Sequence, residues 1–182
     1  FPLRSLARVL SSPSLLPFLG IYFLVHLAMQ VNPVNWTLYT QTKFGWTAWD
    51  VGLSLSFVGV MLASVQMGLT RRIIPKIGEH RALNIGLLIY AASFALFSVA
   101  QKGWVMYAIV VPYSLSGITM PSLQSILTRR TPPDRQGELQ GSLVSLGSVA
   151  AIMAPFMFTQ LFVSFTGPQA PISFPGAAYL GA

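Results

Sequence analysis

Of the chain's 182 residues 53% are hydrophobic and only 8% charged, with a mean hydropathy of +0.63. Soluble domains carry about 25% charged residues, so this chain cannot cover its surface for water and most of its outer face has to meet lipid. The net charge of +7 raises nucleic acid as a partner, but the basic residues form no solvent-facing stripe and no RNA- or DNA-binding motif is present. Zero cysteines remove disulfides and thiolate metal sites, and two scattered histidines make no metal cluster.

The chain opens on Phe1 without the order of basic, apolar and small residues that marks a signal peptide, and it reads as an internal fragment. A membrane-spanning helix needs about 20 mainly apolar residues at about 1.5 Å rise each. Runs of that kind are expected at 15–38, 51–69, 82–100, 105–127 and 139–165. The runs are too long and too little alternating for barrel strands, and their short joins predict antiparallel neighbours. Residues 175–182 read as the start of a further apolar helix.

The first run is dense in polar groups: His26, Gln30, Asn32 and Asn35. His26 and Gln30 share a helical face, and Pro33 lacks an N–H, which predicts a kink or break at that residue. For Gln30 and Asn35 two roles fit: lining a ligand cavity, or bonding neighbouring helices and the backbone groups released at Pro33. Asn32 suits the kink better, and His26 is either a proton relay or a hydrogen-bonded neutral imidazole.

Between the first two runs, Thr47 and Asp50 have the spacing of a capping box, which sets Asp50 at a helix entrance. The second run carries Gln66 and the fourth Gln124, both toward one end, where each lines an exit or reaches interfacial water. In the fourth run Tyr113, Ser114, Ser116, Gly117, Thr119 and Pro121 predict a bendable backbone whose hydroxyls satisfy freed carbonyls. Thr131 and Asp134 repeat the capping-box spacing, with Pro132 at the first helical position. In the fifth run Gly141, Ser145 and Ser148 suggest close helix packing, and Gln140 is a contact candidate near one mouth.

Charge gives orientation. Arg4 and Arg8, then Arg71, Arg72, Lys76 and Arg81, then Arg129, Arg130 and Arg135 fall on one side, and only Lys43 and Lys102 of the 11 lysines and arginines fall on the other. The excess marks the cytoplasmic face, and Trp46, Trp49 and Trp104 fit an aromatic belt at the outer interface.

The segments Phe44-Gly45-Trp46, Val51-Gly52-Leu53-Ser54-Leu55 and Gln136-Gly137-Glu138-Leu139-Gln140-Gly141-Ser142-Leu143-Val144-Ser145-Leu146 closely resemble the C-terminal half of the tetracycline-resistance type of major facilitator antiporters, over about 21–165. The resemblance implies an all-α membrane protein, the C-terminal six-helix lobe of a major facilitator fold with about five full helices present. Residues 1–14 would end the cytoplasmic central linker, 15–166 form the lobe, and 167–182 supply an outer loop and a truncated last helix. It further implies a multi-pass protein of the bacterial plasma (inner) membrane that alternates its access and exchanges protons for a small drug-like molecule. Its partners would be the small-molecule substrate, the lipid bilayer and the missing N-terminal half, with no cofactor beyond the proton gradient.

The first and fourth helices would line the cavity, making Tyr113 an aromatic contact. The loop 71–81 looks like a degenerate copy of the family's cytoplasmic motif, with Lys76, Gly78, Glu79 and Arg81 in it. Arg71 stands there where a glycine is usual, and Pro75 where an aspartate often stands. Tyr90 replaces the aspartate of tetracycline exporters, and no acidic residue falls inside the expected runs, so the coupling acid is expected in the other half. An importer of a sugar, acid or nutrient shares the fold and stays open. A membrane enzyme or a scaffold fits less well, since no nucleophile with its base, metal cluster or Gly-rich phosphate loop is present.

Overall fold

A computed structural model describes residues 12–167 and 173–182. Arg4 and Arg8, most of the expected linker and the middle of the expected outer loop lie outside the described residues. Apart from short turns the rest is helical: α1 (Leu16–Met29), α2 (Val31–Phe44), α3 (Ala48–Ser64), α4 (Thr70–Ile77), α5 (Glu79–Val99), α6 (Gly103–Leu115), α7 (Thr119–Arg129), α8 (Gln136–Thr166) and α9 (Ala177–Leu180). Among the described residues five stretches are long and apolar enough to cross a bilayer: Leu16–Phe44, Ala48–Gly68, Glu79–Val99, Gly103–Arg129 and Pro133–Thr166. Each expected apolar run has such a helix, and most helices extend further into the flanking polar residues, because helix geometry continues where hydropathy stops.

Three of the spans depart from a regular helix. The first breaks at Gln30, three residues before Pro33, with the Gln30 N–H turned back to Leu27 O at 3.1 Å and the Val34 N–H bonded to Gln30 O at 3.2 Å. Pro33 therefore sits in the first turn of α2, where its missing N–H costs nothing, and the expected kink is displaced one turn upstream. The second span passes through a π-helical turn, Val65–Leu69, into α4. The fourth passes through a 3₁₀ turn, Ser116–Ile118, between α6 and α7, with Ser114 Oγ bonded to Val110 O at 2.7 Å and Ser116 Oγ to Tyr113 O at 2.5 Å. These two irregular turns pack against each other, since Ile118 and Val65 share a small core with Ala82.

The two expected caps fare differently. Thr47 and Asp50 form a reciprocal capping box at the start of α3, with the Thr47 N–H donating to Asp50 Oδ2 at 2.9 Å and the Asp50 N–H donating to Thr47 Oγ1 at 3.3 Å. Thr131 instead donates to Leu127 O at 2.8 Å, closing the end of α7, and Pro132 is extended, so Pro133 opens a 3₁₀ turn (Pro133–Arg135) ahead of α8. The second capping box does not form, because its hydroxyl is already engaged behind it. Thr47→Ala should therefore destabilise the fold by about 1 kcal/mol, read as a lowered midpoint in a thermal unfolding scan of the purified protein in detergent.

Packing divides by depth. At the end of the spans that carries Trp46, Trp49 and Trp104 the core is aromatic: Trp36, Tyr39, Phe94, Phe97, Tyr113 and Phe158 form one cluster. Trp36 Nε1 donates to Ser54 Oγ at 2.9 Å and the Tyr39 hydroxyl to Phe97 O at 2.5 Å, so the polar ends of these rings are satisfied where water is absent. At the opposite end, which carries Arg129 and Arg130, the core is aliphatic, with Leu15, Leu19, Leu123, Leu127, Leu139 and Leu143. Large apolar side chains such as Leu88 and Phe156 point outward, 70% and 73% exposed, as lipid-facing residues should.

Candidate functional site

A cavity of about 270 Å³ opens where the irregular turns of the second and fourth spans meet the first and third. Gln66 enters it from the π turn, Ser116 from the 3₁₀ turn, Gln124 from α7, Met29 from the end of α1, and Tyr90 and Tyr113 from the aromatic core. The backbone irregularities thus supply the wall: non-helical geometry at membrane depth is tolerated where it lines a cavity or is buried in protein. Tyr113 is held firmly. Its ring meets Tyr90 edge-on at 5.6 Å, and its hydroxyl accepts the Asn32 amide at 2.7 Å.

The sequence-derived candidates sort by position. Tyr113 and Gln124 line the cavity, and Asn32 stands behind Tyr113. His26 stacks on Tyr22 at 4.9 Å, and Tyr22 in turn engages Gln124, so the imidazole connects to the cavity through one ring. The same imidazole lies close to α8: a Cβ added to Gly147 would come 3.0 Å from His26 Nε2. Gln30 occupies the break beside Met29 and is half-buried. Asn35 faces the interior of the lobe. It is 0% exposed and donates to Phe158 O at 3.2 Å, tying α2 to the backbone of α8. Gln140 is exposed on α8, away from the residues that line the cavity.

Tyr90, Met29 and Ser116 are lining residues that the sequence did not single out as contacts. For Tyr90 the signal was present, since its phenol is a polar group in the middle of an otherwise apolar stretch. Gln66 was visible but without a direction.

At the basic end of the spans, Gly78 joins α4 to α5 at φ 83°, a left-handed conformation that favours glycine. Glu79 begins α5 and is gripped from α7: Arg129 Nε lies 3.0 Å from Oε1, and Ser125 Oγ bonds the same oxygen. Lys76 and Arg81 are exposed on either side of that turn.

All four carboxylates of the chain fall at helix starts, as the capping box led one to expect for Asp50; the helices begin ahead of the expected apolar runs and so take the acids into their first turns. Asp50, Glu79 and Glu138 occupy the first turns of α3, α5 and α8, and Asp134 the 3₁₀ turn before α8. There the helix dipole favours a negative charge. The cavity wall itself holds hydroxyls, amides, thioethers and rings, and no formal charge.

Fold and site together define a multi-pass helical membrane protein whose spans enclose an uncharged, ligand-sized cavity. The chain belongs to the Major Facilitator Superfamily, a family of transporters, whose family model matches residues 1–155. It is 33% identical over 144 residues to the tetracycline resistance protein, class C, of Escherichia coli, covering 79% of this chain and 36% of that protein. Against the class G protein of Vibrio anguillarum the identity is 33% over 148 residues, 81% of this chain and 38% of that protein. Hippocampus abundant transcript-like protein 1 of Homo sapiens is 21% identical over 164 residues, 90% of this chain and 32% of that protein. The chain spans about a third of the length of each of these relatives. No solved structure matches it.

Proposed function

We propose that this chain forms one wall of a proton-coupled exporter that moves small amphipathic molecules out across a bacterial inner membrane by alternating access. The observation that carries this reading is the uncharged cavity of about 270 Å³, in which Tyr90 and Tyr113 offer ring faces and Gln66 and Gln124 offer amides. Such a mixture suits a ligand with an apolar body and a few polar groups, since each amide can replace a hydrogen bond the ligand loses on leaving water. It suits a charged or metal-chelated ligand poorly, because no carboxylate on this wall would answer the charge. The proposed cargo is an amphipathic molecule that need not be the tetracycline relatives are named for.

In this reading Gln66, Gln124, Tyr90 and Tyr113 touch the cargo, Asn32 positions Tyr113, and His26 and Gln30 support the wall from α1 and its break. Asn35 and Gln140 leave the contact set, the first as an internal tie between helices. The coupling acid belongs to the part of the transporter outside this chain, facing this wall across a central path, and the lobe rocks as a body about the midplane.

The test is substrate-stimulated proton movement in proteoliposomes, followed with an internal pH dye across a panel of lipophilic drugs. Drug-dependent proton flux is expected. Gln124→Ala should raise KM about tenfold with kcat little changed, the pattern of lost uniform binding, and Gln140→Ala should leave both constants alone. Absence of flux with every compound, from protein shown to be folded, would reject the exporter reading.

A further inference from the structure

The inner corner formed by α4, the start of α5 and the end of α7 has a use that transport does not assign. Exposed Trp49 and Trp104 mark the outer interface of the second and fourth spans. About twenty residues at 1.5 Å rise cross the hydrocarbon, which brings the second span to its inner boundary near Gly68. Arg71 and Arg72 follow at once, at the level of the lipid headgroups.

α4 presents two faces there. Ile74 and Ile77 pack against Val65, Ala82 and Ile118, while Arg71, Arg72 and Lys76 are exposed, as is Arg81 beyond the glycine turn. Among the described residues none of these four cations is paired with a carboxylate; Glu79 beside them is taken by Arg129 and Ser125. Next to this basic face lies a cavity of about 330 Å³ walled by Ile74, Pro75, Gly78, Glu79 and Arg129. Arg129 spends its Nε on Glu79, yet its side chain stays 77% exposed. The corner thus joins an apolar shelf, a pocket and an excess of unpaired positive charge at one depth.

We propose that this corner binds the headgroup of an anionic phospholipid of the cytoplasmic leaflet. The phosphodiester takes Arg71, Arg72 and the outer edge of Arg129, Lys76 and Arg81 flank it, and the first carbons of the lipid lie along Ile74 and Pro75. Charge complementarity selects this occupant, because basic clusters at the inner interface attract anionic lipid within a Debye length. A bound lipid would brace α4 against α7 at the Glu79–Arg129 link.

The experiment is native mass spectrometry of the purified full-length protein in detergent, titrated with phosphatidylglycerol or phosphatidylcholine. Phosphatidylglycerol should be retained at least tenfold more tightly. R71Q/R72Q should reduce that preference to less than twofold, with K76Q, a milder change, giving a partial loss should the double variant fold poorly. K102Q/R135Q removes the same charge elsewhere and should leave the preference intact. Equal retention of the two lipids, an equal loss in both double variants, or displacement of phosphatidylglycerol by millimolar inorganic phosphate would each overturn the assignment.

Discussion

Gly86→Leu should prevent the lobe from assembling, and Gly86→Ala should cost about 2 to 3 kcal/mol, the upper range for overpacking a well-filled core. α5 and α7 are in close contact at this point. A Cβ on Gly86 would fall on Thr119 Oγ1 and come within 3.2 Å of Thr119 Cβ and 3.3 Å of its Cα. Backbone cannot yield as a side-chain tip does, so the two helices would have to separate along their length. Thr119→Ala in the same chain should recover part of the loss by removing the nearest atom. The control is Gly52→Ala, where nothing lies within 4 Å of an added Cβ and better helix propensity should leave stability equal or slightly higher. Fluorescence-detected size exclusion after a temperature ramp measures all four variants. Equal melting points for Gly86→Ala and Gly52→Ala would show that the helices are not in contact there.

The second large effect is expected at Tyr113, which serves packing and the site together. In soluble cores deletion of a large aromatic side chain costs 3–5 kcal/mol. Within a membrane the transfer part of that cost shrinks, since lipid tails are as apolar as the core, and lost packing and hydrogen bonds remain. Tyr113→Ala should therefore destabilise by about 3 kcal/mol and enlarge the cavity, abolishing measurable transport. Tyr113→Phe keeps the ring contacts with Tyr90 and Phe97 and deprives the Asn32 amide of its acceptor. A buried donor left unpaired costs about 1 to 3 kcal/mol. For Tyr113→Phe a lower melting point with proton flux retained is the expected pair of results. Flux lost at an unchanged melting point would mean that the hydroxyl acts on cargo and not on Asn32.

Much of the fold was legible because crossing a bilayer demands only length and hydropathy. The radial direction of each side chain was not legible. A helix that is apolar on every side, with lipid against one face and protein against the other, carries no amphipathic signal to say which is which. For that reason Gln66 and Gln124 remained undecided, and Asn35 looked as suited to a cavity as to the interior. Backbone irregularity was half legible: Gly117, Pro121 and the hydroxyls around them announced the bend that the fourth span takes as a 3₁₀ turn at Ser116–Ile118, whereas the π turn at Val65–Leu69 differs from α-helix by one residue of hydrogen-bond register, which no residue type there announces. Pro33 did announce a break, but the backbone resolved it where the missing donor does least harm, one turn earlier. The second capping box had the right spacing and failed, since Thr131 could serve only one helix end.

The placement of the carboxylates also has an electrical side. Moving one elementary charge through the membrane field does work of about 2.3 kcal/mol per 100 mV. In this lobe the acidic groups are held at helix entrances and the cavity wall is neutral, so in the proposed alternating-access cycle scarcely any fixed charge of this wall would cross the field. Membrane voltage would then have little purchase on this lobe, and under the proposed exchange any current would report the charge of the cargo and of the protons moved against it.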